Sequence, residues 1–272
     1  MDEEQFNLWQ ALLEDRTGMQ LALPRKRFLE TSVWLRMREI GCENYDEYYE
    51  QLVAGLSGQV EWATLVDRLT VQETRFFRHL SSFDLVRDVC REKWAEQKDS
   101  SVEIWSVGCA TGEEPYTLAM VLNELLGEST DKARFGITAT DISLPALSKA
   151  RKGIYGERRL EQVDPTIRDK YFHKVSDGRY QVVPQLKERV CFARINVLEL
   201  STVPFQDLDI IFCQNLLIYF KRWRKRDIVN ALTERLKVGG LLVLGLGEVV
   251  DWDHPKIARV SYENTLAYTR IK

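Results

Sequence analysis

Residues 102–120, VEIWSVGCATGEEPYTLAM, indicate the fold of the chain and the place of its binding site. The apolar run at 102–107 predicts a buried strand, and the residues from Pro115 onward predict a helix. Gly108 and Gly112 lie in the turn between them and let the backbone pass close to a ligand. Because ligands of open α/β sheets collect at the carboxyl ends of the strands, this turn predicts a ligand site.

The glycine turn differs from the turns that bind phosphate groups. Its spacing is neither G-x-G-x-x-G nor G-x-x-x-x-G-K-[ST], and Glu113 and Glu114 would repel a phosphate at the start of the helix. A carboxylate at this place suits a cationic ligand, such as one with an amino group and a sulfonium. Alternatively, the two glutamates only stabilise the positive end of the helix dipole, and the local residues leave both interpretations open.

Three further apolar runs follow along the chain. They are FGITAT (135–140), LDIIFC (208–213) and GLLVLGL (240–246). Helical stretches separate them, so we predict a mostly parallel sheet covered on both faces. Residues 256–272 predict two strands joined by a turn near Glu263–Asn264. Residues 171–192 predict a small inserted β-hairpin unit with its turn at Asp177–Gly178.

The first 65 or so residues carry the spacing of amphipathic helices and almost no strand signal. In the first segment the apolar residues recur at helical spacing, and Gly18 follows as a stop. The second segment opens with Pro24 and closes with Gly41, and the third begins after Asn44, a residue type that favours helix caps. With a fourth segment, VEWATLVDRLT (60–70), these patterns predict a small helical bundle.

The composition argues against several classes of protein. No apolar run approaches the roughly 20 residues that a membrane span requires, and the acidic start MDEEQFNLWQ lacks the order of a secretory signal. The five cysteines and three histidines are scattered, so we expect reduced thiols in a cytosolic protein and no metal site. The net charge of −3 argues against a general nucleic-acid binder.

Polar side chains follow the strands that end at the same edge of the predicted sheet. Asp141 ends the second strand, where an acid commonly accepts the two hydroxyls of a ribose; alternatively, it caps the following helix. Asn196 and Asn215 follow VCFARI and LDIIFC, and their amides can meet the donors and acceptors of adenine or of an amino-acid carboxylate. Both could instead be ordinary turn residues. Asp141 together with the acidic glycine turn favours an adenosine ligand without a diphosphate.

The segment TVQETRFFRH (70–79) precedes the sheet and is unusual for a linker. Phe76 and Phe77 are expected to be buried, which brings Thr74 and Arg78 against the α/β domain. Arg78 would then face an anionic group of a substrate. Taken by itself, a surface arginine on a helix is the simpler interpretation of this residue.

These residues give the chain a resemblance to the CheR-type chemoreceptor glutamate methyltransferase family, and it runs over nearly the whole sequence. Six motifs occur in the order of the family: TRFFR (74–78), GCATGEEPYTLAM (108–120), TDIS (140–143), KGIYG (152–156), FCQNLLIYF (212–220) and GGLLVLGLGE (239–248). The resemblance implies transfer of a methyl group from S-adenosylmethionine to receptor glutamates, with S-adenosylhomocysteine as the product. Its implied role is sensory adaptation in chemotaxis.

The resemblance also implies the fold class, and this agrees with the residue patterns. The class is α/β, with a Rossmann-like methyltransferase domain preceded by an all-α domain. We assign residues 1–70 to an N-terminal helical domain that docks the receptor, 71–95 to a linker and 96–272 to the methyltransferase domain. A small β-subdomain is predicted as an insertion at about 171–193.

The resemblance assigns roles to individual residues. It implies cofactor contacts at Gln72, Thr74, Arg78, Gly108, Glu113, Asp141, Asn196, Val197, Asn215 and Leu216. Gln72 stands where some relatives have an asparagine. Arg78 would hold the incoming glutamate, and Tyr219 would contact it near the methyl group or only pack on the following helix. A glutamate carboxylate, with a reference pKa of about 4.3, is already ionised near neutral pH, so no general base is required.

The helix that matches the receptor-docking helix of the family has a basic face formed by Arg25, Lys26, Arg36 and Arg38. Complementary charge would speed encounter with an acidic receptor helix, although most charged helix faces are only solvated. Many relatives have an arginine near Ser32, so the face is altered here. We expect charge reversal at Arg36 and Arg38 to weaken receptor methylation and to leave cofactor binding intact.

The loop HKVSDGRY (173–180) is shorter than in relatives that bind a receptor's C-terminal pentapeptide as an added β-strand. The sequence therefore predicts an enzyme that does not need the pentapeptide, with a receptor from a pilus-type or surface-motility system. We also expect the enzyme to be a monomer. Two alternatives remain: a methyltransferase of a small molecule or RNA, and a non-catalytic signalling module that binds the cofactor. Methyl groups stable to mild base would favour the first alternative, because glutamyl esters hydrolyse readily.

Overall fold

A computed structural model of the chain describes residues 1–21, 25–70, 72–127 and 134–272. Internal contacts divide the chain into two compact units. The helical unit comprises Met1–Val71 with the short segment Tyr219–Arg224, and the sheet unit comprises Gln72–Ile218 with Lys225–Lys272. No sequence pattern predicts that Tyr219–Arg224 joins the helical unit.

Four helices lie wholly in the described part of the helical unit: α1 (Glu3–Thr17), α2 (Lys26–Ile40), α3 (Tyr45–Val53) and α4 (Gly55–Leu69). Asp2 begins α1 as the first residue of a capping box, and Gly18 ends it with a φ of 74°. Asn44 caps α3 by accepting the N–H of Asp46 at 2.8 Å. Pro24, predicted to open the second helix, lies outside the described residues.

The helices of this unit share one apolar core. Its buried members include Phe6, Trp9, Leu13, Leu29, Val33, Met37, Tyr48, Leu52, Leu65 and Val66. Trp9 packs on Tyr48 with ring centroids 5.5 Å apart. Burying one large apolar side chain contributes about 1.5–3 kcal/mol, so the shared core stabilises helices that are too short to be stable alone. The predicted small helical bundle is confirmed.

A seven-stranded sheet with the order β6-β2-β1-β7-β8-β10-β9 organises the described part of the sheet unit. Its strands are β1 (Ser101–Val107), β2 (Arg134–Asp141), β6 (Val190–Arg194), β7 (Leu208–Cys213), β8 (Leu236–Leu244), β9 (Ile257–Val260) and β10 (Leu266–Arg270). Pairing is parallel from β6 to β8, whereas β10 pairs antiparallel with both β8 and β9. The mostly parallel sheet is as predicted, and β7 is buried along its whole length, as a central strand covered on both faces must be.

The helices of the sheet unit are α5 (Leu80–Glu96), α6 (Glu113–Gly127), α7 (Leu144–Lys152), α8 (Glu157–Leu160), α9 (Pro165–Tyr171), α10 (Pro184–Lys187) and α11 (Arg222–Thr233), whose first turn belongs to the helical unit. Most of α5 lies in the segment predicted as a linker. Its Leu85 and Val86 are buried in the core, and its Phe83 stacks on Phe212 of β7 at 5.1 Å. Because these apolar residues pack on the sheet, the segment from Gln72 onward belongs to the sheet unit and is not a linker.

A second sheet has three strands in the order β3-β5-β4, with β3 at Ile154–Gly156, β4 at Phe172–Ser176 and β5 at Arg179–Val182. The predicted hairpin is present, and Gly178 in its turn has a φ of 63°. The small sheet begins before the predicted insertion, because β3 pairs antiparallel with β5. At its other end, β6 pairs with β2 and belongs to the large sheet.

Among the described helices, none combines the length and the apolar character that a membrane span needs. Within the same residues, no group of three or more histidine, cysteine, aspartate or glutamate side chains is placed to hold a metal ion. All five cysteines are described and carry free thiols; Cys191 is exposed and the other four are buried.

Candidate cofactor site

The carboxyl ends of neighbouring parallel strands bring the polar residues of the motifs to one edge of the large sheet. Gly108 follows β1, Asp141 ends β2, Asn196 comes shortly after β6, and Asn215 comes shortly after β7. The four strands are neighbours in the sheet order. The residues that the sequence predicts at strand ends therefore share the edge where open α/β sheets bind ligands.

Both glycines of the turn after β1 have a backbone conformation that other residues rarely adopt. Gly108 has a φ of 79° and Gly112 a φ of 94°. A Cβ atom on Gly112 would lie 2.8 Å from the Cβ of Ala150, and one on Gly108 would lie 3.1 Å from the side chain of Leu216. The N–H of Gly108 also donates to the carbonyl of Thr140 at 2.8 Å. Glycine thus lets the turn lie close to α7 and to the segment that follows β7.

Asp141 is hydrogen-bonded on both oxygens of its carboxylate. One oxygen accepts the N–H of Ala110 in the glycine turn at 2.8 Å, and the other accepts the N–H of Ser143 at 2.9 Å. Gln72 adds a side-chain hydrogen bond. Burial raises the pKa of Asp141, and these hydrogen bonds oppose the rise by stabilising the ionised form. Ser143, rather than Asp141, caps α7 through the N–H of Ala146, so the helix-cap interpretation of Asp141 is excluded.

Glu113 is only 1% exposed, although it begins α6. Its carboxylate accepts the hydroxyl of Thr111 at 2.7 Å and lies 3.5 Å from the guanidinium of Arg159. Burial raises the pKa of Glu113, while Thr111 and Arg159 favour the ionised form. A carboxylate that only stabilised the helix dipole would gain nothing from burial, so this environment favours the ligand-binding interpretation.

The adjacent Glu114 has a different environment. Its carboxyl group accepts the hydroxyl of Ser106 on β1 at 2.7 Å. Burial raises the pKa of Glu114 to about 8, the neighbouring Glu248 adds to the rise, and Arg78 opposes it. Two consecutive glutamates of one motif thus lie in different environments.

The motif TRFFR forms a turn that anchors Arg78. Phe76 is only 1% exposed and belongs to the core of the sheet unit, as predicted, whereas Phe77 is half-buried. Phe77 and His79 have φ values of 54° and 61°, a left-handed conformation that costs about 1–2 kcal/mol for a residue other than glycine. Arg78 lies between them, half-buried, and donates to the carbonyl of Glu73 at 3.2 Å. Such strain persists where the surrounding packing enforces it, and it concentrates at functional sites.

Asn196 and Val197 begin the turn after β6. The N–H of Ile195 donates to the carbonyl of Asp141 at 3.1 Å, which places this turn beside the end of β2. The side chain of Asn196 accepts the N–H of Leu198 at 3.1 Å and so caps a short 3₁₀ helix. Asn196 is therefore a turn residue, and its position next to Asp141 is also consistent with a cofactor contact.

Asn215 and Leu216 form the turn after β7. Asn215 has a φ of 60°, and its side chain hydrogen-bonds His79 of the strained turn. Leu216 approaches the backbone of Gly108. The turn after β7 is thereby tied to two other predicted parts of the site, the TRFFR turn and the glycine turn.

Three residues that the sequence interpretation did not assign contact predicted site residues. Arg159 lies beside Glu113 and also donates to the carbonyl of Thr74. His79 reaches Asn215, and the carboxylate of Glu248 accepts the N–H of Asn215 at 3.1 Å. His79 directly follows the motif TRFFR, and Glu248 is the last residue of GGLLVLGLGE, so the sequence motifs already pointed to both residues. Arg159 lies in no motif, and only the folded structure identifies it.

Tyr219 belongs to the helical unit, where its contacts are with the N-terminal segment. Its carbonyl accepts the N–H of Gln20 at 2.8 Å, and the guanidinium of Arg25 lies 5.6 Å from the centre of its ring. Lys26 lies over the ring of Phe6 at 5.3 Å. Two residues of the predicted docking face therefore make cation–π contacts within their own unit, which are worth about 0.5–1 kcal/mol when exposed.

Arg36 differs from the rest of the predicted docking face because it is engaged in ion pairs. Its guanidinium makes two hydrogen bonds of 2.7 Å to Glu61 on α4 and one of 3.1 Å to Glu39. The hydrogen bonds that Arg36 donates to Glu61 raise the pKa of Arg36 above its usual range. Charge reversal at Arg36 would oppose two carboxylates and disturb the packing of α2 on α4, so it cannot test docking alone. Arg38 lies over the ring of Trp34 at 5.0 Å and remains suitable for that test.

Comparison with known protein families finds matches along almost the whole chain. The CheR methyltransferase, all-alpha domain, matches residues 4–70, and the CheR methyltransferase, SAM binding domain, matches residues 72–265. The chemotaxis protein methyltransferase of Borreliella burgdorferi is 32% identical, with 86% of this chain and 83% of that protein covered. The chemotaxis protein methyltransferase of Escherichia coli is also 32% identical, with 91% and 85% covered. A protein of Pseudomonas aeruginosa named "Probable biofilm formation methyltransferase WspC" is 30% identical, with 88% of this chain and 56% of that protein covered.

Proposed function

The chain belongs to the CheR methyltransferase family, and from that premise we propose that it converts glutamate side chains of a chemoreceptor into methyl esters. S-adenosylmethionine is its cofactor, since the domain that binds this molecule matches residues 72–265. The proposal rests on one observation. Inside that domain, the glycine turn lies at the same sheet edge as Glu113, Asp141 and Asn215.

The residues present fit the chemistry of S-adenosylmethionine. The buried carboxylate of Glu113 suits the cationic amino and sulfonium end of the molecule, and a second carboxylate, Asp141, suits the two ribose hydroxyls. The amides of Asn196 and Asn215 offer donors and acceptors for adenine or for the amino-acid carboxylate. The glycine turn lets the backbone come close without the phosphate-binding pattern that a dinucleotide would need.

When bound, S-adenosylmethionine would supply an electrophilic methyl group on its sulfonium sulfur and would leave as the neutral thioether. The receptor carboxylate is ionised near neutral pH and needs no base to attack. Catalysis then depends on position and on a site that excludes water. We assign Arg78 to holding that carboxylate, because an arginine can donate two parallel hydrogen bonds to it. Tyr219 is the proposed second contact near the methyl group.

Two finer parts of the proposal concern the receptor. We propose methylation without a C-terminal pentapeptide, because the loop HKVSDGRY (173–180) is shorter than in relatives that bind the pentapeptide as an added β-strand. A pilus-type or surface-motility system remains our proposal for the pathway. The similarity of the sequence does not choose between pathways, because chemotaxis relatives and WspC are almost equally similar, at 32% and 30% identity.

The first test is transfer of labelled methyl from S-adenosylmethionine to chemoreceptor cytoplasmic fragments of the source organism. We expect label on the fragments that mild base releases as methanol, because glutamyl esters hydrolyse readily. Matched fragments in which the acceptor glutamates are replaced by alanine serve as controls and should stay unlabelled. Base-stable label, or cofactor binding without any labelled fragment, would contradict the glutamate-ester proposal and favour another substrate or a signalling module.

A second test concerns docking through α2. We expect Arg38→Glu to lower kcat/KM for receptor methylation about fivefold at low salt, because complementary charge speeds encounter. The difference should shrink as salt is added, and the affinity for S-adenosylhomocysteine should not change. Arg91→Glu, the same charge change on α5 of the sheet unit, is the matched control. Equal losses in both variants, or loss of cofactor affinity in Arg38→Glu, would refute a docking role for this face.

A further inference from the structure

Glu248 follows β8 and is only 4% exposed, although it is a charged residue type in a turn. Its carboxylate accepts three backbone N–H groups. One oxygen accepts those of Gly245 at 2.9 Å and Asn215 at 3.1 Å, and the other accepts that of Ile218 at 3.2 Å. A single side chain therefore fastens the turn after β8 to the turn after β7.

The glycine at position 245 leaves space for the carboxylate of Glu248. A Cβ atom on Gly245 would lie 2.2 Å from the nearer carboxylate oxygen of Glu248, which no side chain could tolerate without a shift. The backbone on the far side of Glu248 is also held, because Lys225 donates to its carbonyl at 3.0 Å. Gly245 and Glu248 of the motif GGLLVLGLGE thus depend on each other, because the glycine leaves the space that the carboxylate occupies.

The segment that Glu248 fastens contains predicted cofactor contacts. Asn215 has a left-handed backbone with a φ of 60°, a conformation that needs support from its surroundings. Its side chain reaches His79, and its neighbour Leu216 lies against the backbone of Gly108. The amides of Asn215 and Ile218 are at the two ends of the segment, and both donate to Glu248. One carboxylate therefore fixes where the side chains between these ends point.

We infer that Glu248 is a positioning residue for the cofactor, holding residues 215–218 in the conformation that presents Asn215 and Leu216 to it. This inference rests on the proposed function, since it concerns the same cofactor site. Backbone N–H groups bound to a carboxylate are among the stronger hydrogen bonds of proteins. Removing the acceptor leaves buried donors unpaired, which loosens the segment before cofactor can bind.

The experiment compares Glu248→Gln with the wild-type chain by calorimetric titration of S-adenosylhomocysteine and by amide hydrogen exchange. The glutamine has nearly the same shape but keeps only one accepting oxygen. We expect the Kd to rise about tenfold, and exchange at the amides of Asn215 and Ile218 to accelerate while the amides of β1 stay protected. An unchanged Kd, or unchanged exchange at these two amides, would overturn the inference.

Two further variants separate positioning from general destabilisation. Asp209→Asn removes another buried carboxylate that accepts a backbone N–H, that of Glu103 at 2.9 Å, and it should leave the Kd within about twofold of wild type. Gly245→Ala keeps the charge of Glu248 but displaces its carboxylate, so it should reproduce the loss of affinity even if Glu248→Gln does not fold. Equal losses of affinity in Asp209→Asn and Glu248→Gln would show that the effect comes from general destabilisation and would overturn the positioning role. If the wild-type chain itself binds no cofactor, the proposed function fails instead.

Discussion

Replacing Arg78 by alanine is expected to lower kcat/KM for receptor methylation at least a hundredfold and to leave the thermal midpoint almost unchanged. Arg78 is half-buried, between Phe77 and His79, whose left-handed backbones hold the turn in one conformation. Its guanidinium donates to the backbone carbonyl of Glu73 at 3.2 Å, and loss of this half-buried side chain removes little packing. The substrate carboxylate would lose a bidentate hydrogen-bond partner, and such charge-assisted hydrogen bonds contribute about 1.5–3 kcal/mol each.

The measurement is labelled methyl transfer to a receptor fragment, with the affinity for S-adenosylhomocysteine measured beside it. Arg75→Ala is the matched control, because Arg75 is an exposed arginine of the same motif. Arg78→Lys keeps the positive charge but lacks the planar guanidinium group, so we expect it to retain only part of the wild-type activity. Transfer by Arg78→Ala within about tenfold of wild type would remove Arg78 from the assigned role. A loss confined to cofactor affinity would instead limit it to binding.

Local patterns were sufficient to predict the architecture of the large sheet. The apolar run at 102–107 corresponds to β1, and LDIIFC corresponds to β7 over the same residues, 208–213. Parallel strands end at one edge, so the sequence alone predicts that a polar residue after each strand lies near the glycine turn. This explains why Gly108, Asp141 and Asn215 meet where the sequence predicts a ligand site.

Residues whose roles depend on distant partners could not be predicted in this way. Arg36 has the pattern of a basic helix face, but its partner Glu61 lies 25 positions along the chain and on another helix. Glu248 reaches across 33 positions to the N–H of Asn215. Helical spacing and strand alternation describe which face of an element is apolar, and they carry no information on which charges meet in the folded chain. The linker assignment failed for a related reason, since the burial of Phe83 depends on Phe212.

The largest effect on cofactor binding is expected from Asp141→Asn, which should raise the Kd for S-adenosylhomocysteine about a hundredfold. Two consequences of the change act together. The amide keeps one accepting oxygen, so either Ala110 in the glycine turn or Ser143 loses its bond to this side chain. The ribose also loses a carboxylate, and hydrogen bonds to charged groups contribute about 1.5–3 kcal/mol each. Calorimetric titration at neutral pH measures the change directly.

The pH dependence of binding distinguishes a ribose contact from a purely structural carboxylate. Burial raises the pKa of Asp141, so the wild-type protein should lose affinity as the pH falls through that pKa, because protonation removes the charged acceptor. The affinity of Asp141→Asn should depend less on pH, because the asparagine amide does not titrate. Asp164→Asn is the matched control: Asp164 caps α9 by accepting the N–H of Thr166 at 2.8 Å, and asparagine is an equally good cap. A wild-type pH profile retained in Asp141→Asn would show that protonation of Asp141 does not govern cofactor binding, which would contradict the role of its charge.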